Sequence, residues 1–319
     1  MQIVRSPFRI SFFGGSTDYE SFFKNNESFI IGTTINKYVY CSLRPRSQIH
    51  GNDSVISYSK VEIVDNFDKI SNNLIRETIK YHNFNKPIEL HFFSDIPSRT
   101  GLGGSSSFCT SLCSSLRLFL NKQITKKILT DDAIKIERHI LKESGGIQDQ
   151  IHSSFGGFNS IEIKKDGTYL VKPVPITQDF LKEFEKSLIL IYTNEQRNTN
   201  IIAKSHENKD KKNILEISKQ AYSSFLKEDI KSIGNLLYQT WNEKRNISNH
   251  ITNKNIDDII NDVMSKGAYG VKLLGSGGCG FILCICNSHT KKILIEKYKQ
   301  NILDFKFESE GTKEIYKNL

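Results

Sequence analysis

The sequence predicts an α+β protein of two lobes with a cleft between them. Residues 1–13 and 28–43 are rich in Ile, Val, Phe and Tyr, which is typical of strands, whereas residues 205–265 follow a mostly helical pattern. A chain of 319 residues is long enough for one large core or two domains. Prolines interrupt the pattern at "VKPVPITQD", so we predict two domains, residues 1–176 and 177–319.

The first predicted domain continues with a strand and two helices. The stretch "PIELHFFSDIP" predicts a strand that ends at Pro97. From Ser106 to Leu120 the apolar residues recur at the i, i+3, i+4, i+7 spacing of an amphipathic helix. The segment "TDDAIKIERHILKESGG" predicts a second helix, with Thr130 as its N-cap, acidic residues in its first turn and glycines at its end.

More strands are predicted after the proposed boundary. The segment "FGGFNSIEI" and the turn "KKDG" precede "KSLILIYT", which predicts a buried strand. Later in the chain, "AYGVKLL", "GSGGCG" and "FILCIC" predict a strand, a glycine loop and another strand.

Composition indicates a globular protein, and the cytoplasm is the expected location. No run of roughly 18 or more apolar residues indicates a membrane-spanning helix. The stretch "MQIVRSPFRISFF" lacks the basic head, apolar region and cleavage site of a signal peptide. The six cysteines form no CxxC pair and have no histidine at zinc-ligand spacing, so we expect reduced core residues rather than a zinc site.

The net charge of +9 is compatible with an anionic partner or with a lysine-rich solvated surface. There is no arginine-rich arm and no basic run interleaved with aromatic residues, so we do not expect nucleic acid as a partner. A phosphorylated small molecule fits the charge. We expect a monomer or homodimer with no membrane partner.

Glycines and serines stand directly ahead of a predicted helix in "PSRTGLGGSSSF", residues 97–108. Backbone N–H groups at a helix N-terminus bind anions, and glycines allow a phosphate to approach closely. Serine hydroxyls add donors or an oxygen ligand for Mg²⁺. A serine-rich N-cap after a turn is the alternative interpretation. The loop is not a Walker A motif, because GxxxxGK[ST] is missing and no lysine follows the glycines.

The second glycine loop, "GSGGCG" at residues 275–280, matches GxGxxG by letter. A dinucleotide-binding fingerprint needs a helix after the loop, whereas "FILCIC" predicts a strand. We therefore predict a tight hairpin whose backbone approaches another segment of the chain.

Glu137 lies within the apolar stripe of its predicted helix, which is formed by Ala133, Ile134, Ile140 and Leu141. A carboxylate that faces inward needs a cation or a metal as partner. The alternative is an edge position from which the carboxylate reaches solvent.

Asp149 and Arg9 are ordinary residues when each is taken alone. Asp149 follows the glycines of "ESGGIQ", where an aspartate is usually a turn residue or a cap. Arg9 lies between Phe8 and Ile10, so its side chain leaves the strand on the opposite side from theirs. Near a carboxylate and a phosphate, that arginine would stabilise negative charge.

Together these segments resemble the GHMP kinase superfamily, which includes galactokinase, homoserine kinase and mevalonate kinase. The resemblance rests on "PFRISFFGGSTDY" (7–19), "PSRTGLGGSSS" (97–107) and "KLLGSGGCGF" (272–281), three motifs in the family's order and spacing across nearly the whole chain. It implies the GHMP kinase fold, with ATP and a sugar bound in the cleft between the lobes.

Within the superfamily, four segments are similar to bacterial D-glycero-D-manno-heptose 7-phosphate kinases. They are "RISFFGGSTD", "GGIQDQIHSSFGGFN", "LIYTNEQRNTNII" and "WNEKRNIS". The similarity implies an enzyme that uses Mg²⁺ and ATP to phosphorylate the anomeric C1 hydroxyl of the heptose 7-phosphate, giving the 1,7-bisphosphate for nucleotide-activated heptose. The alternatives are a fucose-type sugar 1-kinase, a non-catalytic member that binds sugar and nucleotide, and a nucleic-acid binder attracted by the +9 charge.

The resemblance also implies catalytic and metal-binding roles. Asp149 matches the family's catalytic aspartate, the proposed base for the sugar hydroxyl, and Arg9 matches the arginine that stabilises charge near the transferred phosphoryl group. Glu137 matches the Mg²⁺ ligand, with Ser105 or Ser106 as the hydroxyl ligand.

The remaining implied positions bind the two substrates. The ATP phosphates would lie on Gly101, Leu102, Gly103, Gly104, Ser105, Ser106 and Ser107. The sugar phosphate would lie on Gly15, Ser16, Asp18, Arg197, Lys244, Arg245 and Gly277. Galactokinase has Glu-His in place of Gly15 and Ser16, which argues against galactose. Many relatives have glycine where this chain has Arg99, and serine where it has Gly104.

Overall fold

Two antiparallel-rich sheets, one in each lobe, form the framework of the protein. The computed structural model describes residues 1–47, 49, 51–195 and 209–318. Within that part of the chain the first sheet has nine strands and the second has four. The first contains β1 (Gln2–Phe13), β2 (Ser28–Pro45), β3 (Ser54–Ser57), β4 (Val61–Val64), β5 (Ile88–Ser94), β6 (Asn159–Ile163), β7 (Tyr169–Pro173), β12 (Phe307–Glu308) and β13 (Lys313–Lys317). The second contains β8 (Leu188–Tyr192), β9 (Gly270–Leu273), β10 (Phe281–Ile285) and β11 (Ile302–Leu303).

Adjacent strands of the first sheet follow the order β13-β1-β2-β5-β3-β4. The strands β6 and β12 also pair with the long strand β2. β1 and β2 are antiparallel, and Arg9 lies opposite Thr34. The "PFRISFF" stretch of β1 is buried on both faces, because helices cover one face and the second lobe covers the other. The side chain of Arg9 therefore leaves the strand into the interior, and only 4% of the residue is exposed.

Helices fill the space around both sheets. Their bounds are α1 (Glu20–Phe23), α2 (Asn73–Tyr81), α3 (Gly104–Phe119), α4 (Lys126–Ile134), α5 (Gln148–Phe155), α6 (Gln178–Ser187), α7 (Lys212–Leu226), α8 (Ile230–Arg245), α9 (Lys254–Ser265) and α10 (Ser288–Lys297). Short 3₁₀ turns lie at Phe67–Lys69 and Lys299–Asn301. The predicted strands and the helix after the first glycine loop are confirmed, although the strand predicted to end at Pro97 ends at Ser94. The helical prediction for residues 205–265 is confirmed over residues 212–265, and residues 205–208 lie outside the described part of the chain.

A continuous aromatic core joins the two lobes. The ring of Phe184 on α6 lies 5.4 Å from that of Phe12 on β1 and 5.2 Å from that of Phe225 on α7. β12 and β13 then bring the chain back to the first sheet, beside β2 and β1. The two-lobed α+β class is confirmed, whereas the division at residues 176 and 177 stays a prediction.

The helix that carries Glu137 differs from its prediction in two ways. The N-cap is Thr125, whose hydroxyl accepts from the backbone N–H of Ile128 at 3.1 Å, so the prediction of Thr130 is wrong. After Ile134 the chain continues as a π-helix, Lys135–Ile140, in which Leu141 N–H donates to the carbonyl oxygen of Ile136, five residues earlier.

The π-helix changes which side chains face inward. The extra residue in the turn rotates Ile140 outward, and 38% of it is exposed, so its predicted place in the apolar stripe is wrong. Glu137 remains fully buried. The prediction that this carboxylate faces inward is therefore confirmed.

The two glycine loops pack against each other. β9 and β10 form an antiparallel pair joined by residues 274–280, as the sequence predicts. A Cβ atom on Gly275 would lie 2.5 Å from the Cα of Gly101, and one on Gly101 would lie 2.8 Å from the carbonyl oxygen of Leu274. Only glycine permits this approach, so the hairpin packs directly against the first glycine loop.

The burial of the cysteines and the character of the helices bear on two further expectations. All six cysteines are buried, and none of them forms a disulfide bond, as predicted. In the described ranges, none of the helices combines the length and the apolar character that a membrane crossing requires.

Candidate active site

A cavity of about 1130 Å³ lies where segments of the two lobes meet. Its walls come from the end of β1, both glycine loops, the start of α5, and α8 and β9 of the second lobe. Arg9, Asp18, Glu137 and Asp149 all line it. Residues that are distant in sequence and were singled out separately are thus brought into one space.

Arg9 and Asp149 form a bidentate ion pair at the wall of this cavity. Nε of Arg9 donates to Oδ1 of Asp149 at 2.8 Å, and Nη2 donates to Oδ2 at 2.8 Å. The remaining nitrogen, Nη1, donates to the carbonyl oxygen of Gly101 at 2.7 Å. Asp149 lies in the first turn of α5 and keeps a quarter of its side chain exposed to the cavity. The pair fixes a carboxylate beside the first glycine loop.

The first glycine loop leads directly into α3. The N-cap is Gly103, so the free backbone N–H groups of the first turn begin at Gly104 and Ser105, which line the cavity. Leu102 is fully buried and accepts from the backbone N–H of Arg9 at 3.0 Å. The hydroxyl of Ser107 donates to the carbonyl of Pro7 at 2.8 Å. Leu102 and Ser107 therefore attach the loop to β1, and the residues between them face the cavity.

Arg99 holds a backbone conformation that favours glycine. Its φ is +62°, in the left-handed region, and it lines the cavity at the entrance of the loop. This conformation accounts for the glycine that many members of the GHMP superfamily carry at this position.

Glu137 is the second carboxylate of the site. It accepts from the hydroxyls of Ser105 at 2.9 Å and Ser106 at 2.7 Å, and from Nε2 of Gln150 at 2.6 Å. Both serines therefore contact the same carboxylate. Among the described residues, no cation lies within ion-pair distance of Glu137, so its buried charge is compensated only by neutral donors.

This arrangement fits a magnesium ion. Mg²⁺ prefers oxygen ligands and usually takes one or two from protein, with the rest from water and substrate phosphates. Glu137 and the two serine hydroxyls supply such oxygens at the start of α3. In the described segments there is no cluster of three or more His, Cys, Asp or Glu side chains that would form an all-protein metal cage. The donor set suits a metal shared with a phosphate ligand.

Asp18 lies across the cavity wall, behind the start of α5. Its oxygens accept from the backbone N–H of Gln148 at 3.0 Å and from the side-chain Nε2 of the same residue at 3.1 Å. Burial raises the pKa of Asp18, and the charge of Asp149 raises it further, against the lowering effect of the Gln148 N–H. A Cβ on Gly146 would lie 1.8 Å from Oδ2 of Asp18, so this glycine leaves the room that the carboxylate occupies.

The turn before Asp18 is strained. Ser16 has a φ of +75°, a conformation that residues with a side chain rarely adopt. Such strain is concentrated at functional sites. Gly15 and Ser16 both line the cavity, as does Gly277 in the second glycine loop.

The three cations expected to hold a sugar phosphate are placed differently. Lys244 is buried and lines the cavity. Arg245, its neighbour on α8, points away and lies 3.7 Å from the carboxylate of Asp257. Arg197 lies outside the described residues.

Sequence reasoning missed three polar residues of the site. Gln148 and Gln150 flank Asp149, and they contact Asp18 and Glu137 respectively. The signal was present in "GGIQDQ", where three polar residues in succession open a helix. The third is Lys272, a buried cavity residue whose signal was a single lysine in the otherwise apolar strand "GVKL".

Comparisons with known proteins agree with this geometry. The profile of the GHMP kinases N terminal domain matches residues 70–157, and that of the GHMP kinases C terminal domain matches residues 221–301. Together the two profiles match just over half of the chain.

Individual relatives cover almost the whole chain. A D-glycero-alpha-D-manno-heptose 7-phosphate kinase of Campylobacter jejuni is 28% identical, over 97% of this chain and 97% of the relative. The crystal structure of a D-glycero-D-manno-heptose 1-phosphate kinase from Bacteriodes thetaiotaomicron superposes with a TM-score of 0.82 at 21% identity, covering 100% of both chains. A mevalonate kinase of Saccharolobus solfataricus is 22% identical over 74% of this chain and 73% of its own length.

Proposed function

This chain belongs to the GHMP kinase family and is an ATP-dependent sugar kinase, and from that premise we propose that its acceptor is D-glycero-D-manno-heptose 7-phosphate. The product would be the 1,7-bisphosphate, formed by phosphorylation of the anomeric C1 hydroxyl. The relative that is 28% identical over 97% of both chains carries the 7-phosphate kinase name, which supports this acceptor.

The observation that carries the proposal is the bidentate pair of Arg9 and Asp149 facing the cavity beside the start of α3. Asp149 accepts the proton of the C1 hydroxyl as the sugar oxygen forms its bond to the γ-phosphorus of ATP. The bond from that phosphorus to the β-phosphate oxygen breaks, and ADP leaves. Arg9 orients the carboxylate and stabilises negative charge on the transferred group.

The first turn of α3 is the proposed site for the ATP phosphates. Its free backbone N–H groups attract anions, and the helix dipole adds to the attraction. Ser105, Ser106 and Glu137 would hold Mg²⁺ beside those phosphates. When bound, the metal supplies neutralisation of the phosphate charge that develops during transfer.

Asp18, Gly15 and Ser16 form the proposed sugar side of the cavity. Asp18 is buried and already accepts two hydrogen bonds, which leaves its orientation fixed before a sugar hydroxyl arrives. The complete set of catalytic groups in one cavity supports a kinase over a non-catalytic sugar-binding protein.

An acceptor screen tests the proposal. ADP release is measured with Mg²⁺, ATP and a panel of D-glycero-D-manno-heptose 7-phosphate, the unphosphorylated heptose, mannose 6-phosphate, mannose and fucose. Phosphorus NMR identifies the position of the new phosphate. We expect the heptose 7-phosphate to have the highest kcat/KM and to gain a phosphate at C1. A higher kcat/KM for any unphosphorylated sugar would contradict the assignment.

A further inference from the structure

Two buried lysines line the cavity with only neutral partners. Nζ of Lys272 donates to the carbonyl oxygens of Ser11 at 3.1 Å and Phe12 at 2.8 Å. Nζ of Lys244 donates to those of Leu273 at 3.0 Å and Gly275 at 2.5 Å. Each residue is 4% exposed. An ammonium has three donors, so each lysine keeps one for a ligand in the cavity.

Within the described part of the chain, neither ammonium forms an ion pair with a protein carboxylate, and only the charge of Asp18 acts on Lys272 from a longer distance. Across the ranges that the structure describes, no Asp or Glu lies within ion-pair distance of either ammonium. Arg9, the cation that acts on both, already has Asp149 as its partner. Buried cations without an anion are unfavourable, and natural proteins retain them where a ligand supplies the missing charge.

Burial lowers the pKa of both lysines. It lowers the pKa of Lys272 to about 7, with a smaller contribution from the charge of Arg9, which Asp18 opposes. Burial also lowers the pKa of Lys244 well below its usual value, and the charges of Lys272 and Arg9 add to this. The charge of Lys272 therefore acts on Lys244 as a like charge, and an anion bound between the two would relieve this repulsion.

We propose that Lys244 and Lys272 together bind the phosphate that the acceptor carries, so that they select a sugar phosphate over a free sugar. This inference rests on the proposed function. A bound phosphate favours the protonated form of both lysines, and two ammonium groups then match the two negative charges of a phosphate monoester. Lys272 adds to the site a residue that the sequence did not single out.

The position of Lys272 favours the acceptor over ATP. Lys272 is attached to the end of β1, from which the chain runs directly into Gly15, Ser16 and Asp18 on the proposed sugar side. The charge of Asp18 acts on Lys272, so the two groups share one region of the cavity. Lys244 donates to Gly275 of the second glycine loop, which packs against Gly101 of the first, so it lies between this region and the proposed ATP-phosphate groups at the start of α3.

The test compares acceptors that differ only in the phosphate. The variants are Lys244→Gln and Lys272→Gln, which remove the charge and keep a donor for the backbone carbonyls. The control is Lys182→Gln on α6, which removes the same charge from a side chain that is 70% exposed. For each protein, kcat/KM is measured with heptose 7-phosphate and with the unphosphorylated heptose, and KM is measured for ATP.

We expect each cavity variant to lose roughly tenfold or more of the preference for the phosphorylated acceptor, as for a charge-assisted hydrogen bond. KM for ATP should stay within about twofold of the wild type, and the control should match the wild type in all three constants. Equal losses with both acceptors, or a rise confined to KM for ATP, would overturn the proposal and assign the lysines to the donor phosphates or to the loop.

Inorganic phosphate provides a second readout that does not depend on the acceptor's identity. Titration calorimetry of the ADP-bound protein should show phosphate binding that weakens roughly tenfold in either cavity variant. If the wild type prefers an unphosphorylated sugar, the proposed function fails, and this titration still decides the subsite. Equal phosphate affinity in wild type and both variants would refute it. If one variant does not fold, the other carries the test.

Discussion

Alanine in place of Gly275 should slow phosphoryl transfer, because the new methyl group would press on the loop proposed to hold the ATP phosphates. The Cβ atom would lie 2.5 Å from the Cα of Gly101. An ordinary contact needs about 3.4 Å or more, so the two loops must separate by about 1 Å. A shift of about 1 Å in a positioning group can cost on the order of 100-fold in rate.

Gly267 offers a matched control for the strain in the backbone. It has a φ of +90°, against +68° at Gly275, but a Cβ there would meet only the Thr290 hydroxyl, at 3.5 Å. Both alanine variants should lose stability of about 1 kcal/mol or more from the left-handed conformation. Only Gly275→Ala should lose kcat/KM for ATP, by roughly 100-fold, whereas Gly267→Ala should stay within about twofold.

The assay combines ADP release at varied ATP with thermal unfolding of both variants. A comparable fall in Tm with a large kinetic difference would support the loop contact as the cause. If Gly275→Ala has the same kcat/KM for ATP as Gly267→Ala, the second glycine loop does not position the first, and the reasoning is wrong.

Three further changes test individual groups. Asp149→Asn should lower kcat by about 10²–10⁴-fold while ATP binding, measured by calorimetry, is unchanged; a rate within about threefold of wild type would contradict its role as base. Glu137→Gln should raise the Mg²⁺ concentration needed for half-maximal rate, and an unchanged Mg²⁺ titration would make Glu137 a structural carboxylate. Between pH 7 and about 9, KM for the phosphorylated acceptor should rise relative to the unphosphorylated one. The reason is that Lys272, with a pKa of about 7 set by burial, Arg9 and Asp18, loses its proton while the acceptor's phosphate stays a dianion; parallel KM profiles for the two acceptors would remove Lys272 from the phosphate site.

Local patterns were sufficient to predict much of the fold. The strands β1 and β2 and the helix α3 follow from runs of β-branched and aromatic residues and from helical spacing. The hairpin of β9 and β10 was predicted because "GSGGCG" is followed by a strand pattern rather than a helix pattern. In each case the information lies within a few neighbouring residues.

Features that depend on distant contacts were not predicted. β12 and β13 are two and five residues long, and they form only because β2 and β1, about 300 residues earlier in sequence, offer free edges. The π-helix at Lys135–Ile140, which carries Glu137 to the two serines of α3, was not predicted from the sequence either. Thr125 and Thr130 are both plausible caps by residue type, and only the length of α4 decides between them.

The candidate site also contains residues that local motifs predict and residues that only the folded structure brings into place. The resemblance to the family covers Arg9, Asp149 and Glu137, because they lie in or near its motifs. To predict the role of Lys272, one must know which strand is buried on both faces and which side chains reach the cavity. Arg245, adjacent to Lys244 in sequence, faces Asp257 because neighbours on a helix point in directions about 100° apart.

The first turn of α5 connects three charged groups of the site. Its consecutive residues Gln148, Asp149 and Gln150 contact Asp18, Arg9 and Glu137 respectively, through side chains that diverge around one helix axis. The orientations of Asp18, Arg9 and Glu137 therefore depend on one short helical turn rather than on three separate loops. Substitutions in this turn should be strongly non-additive, since each one displaces the same rigid unit.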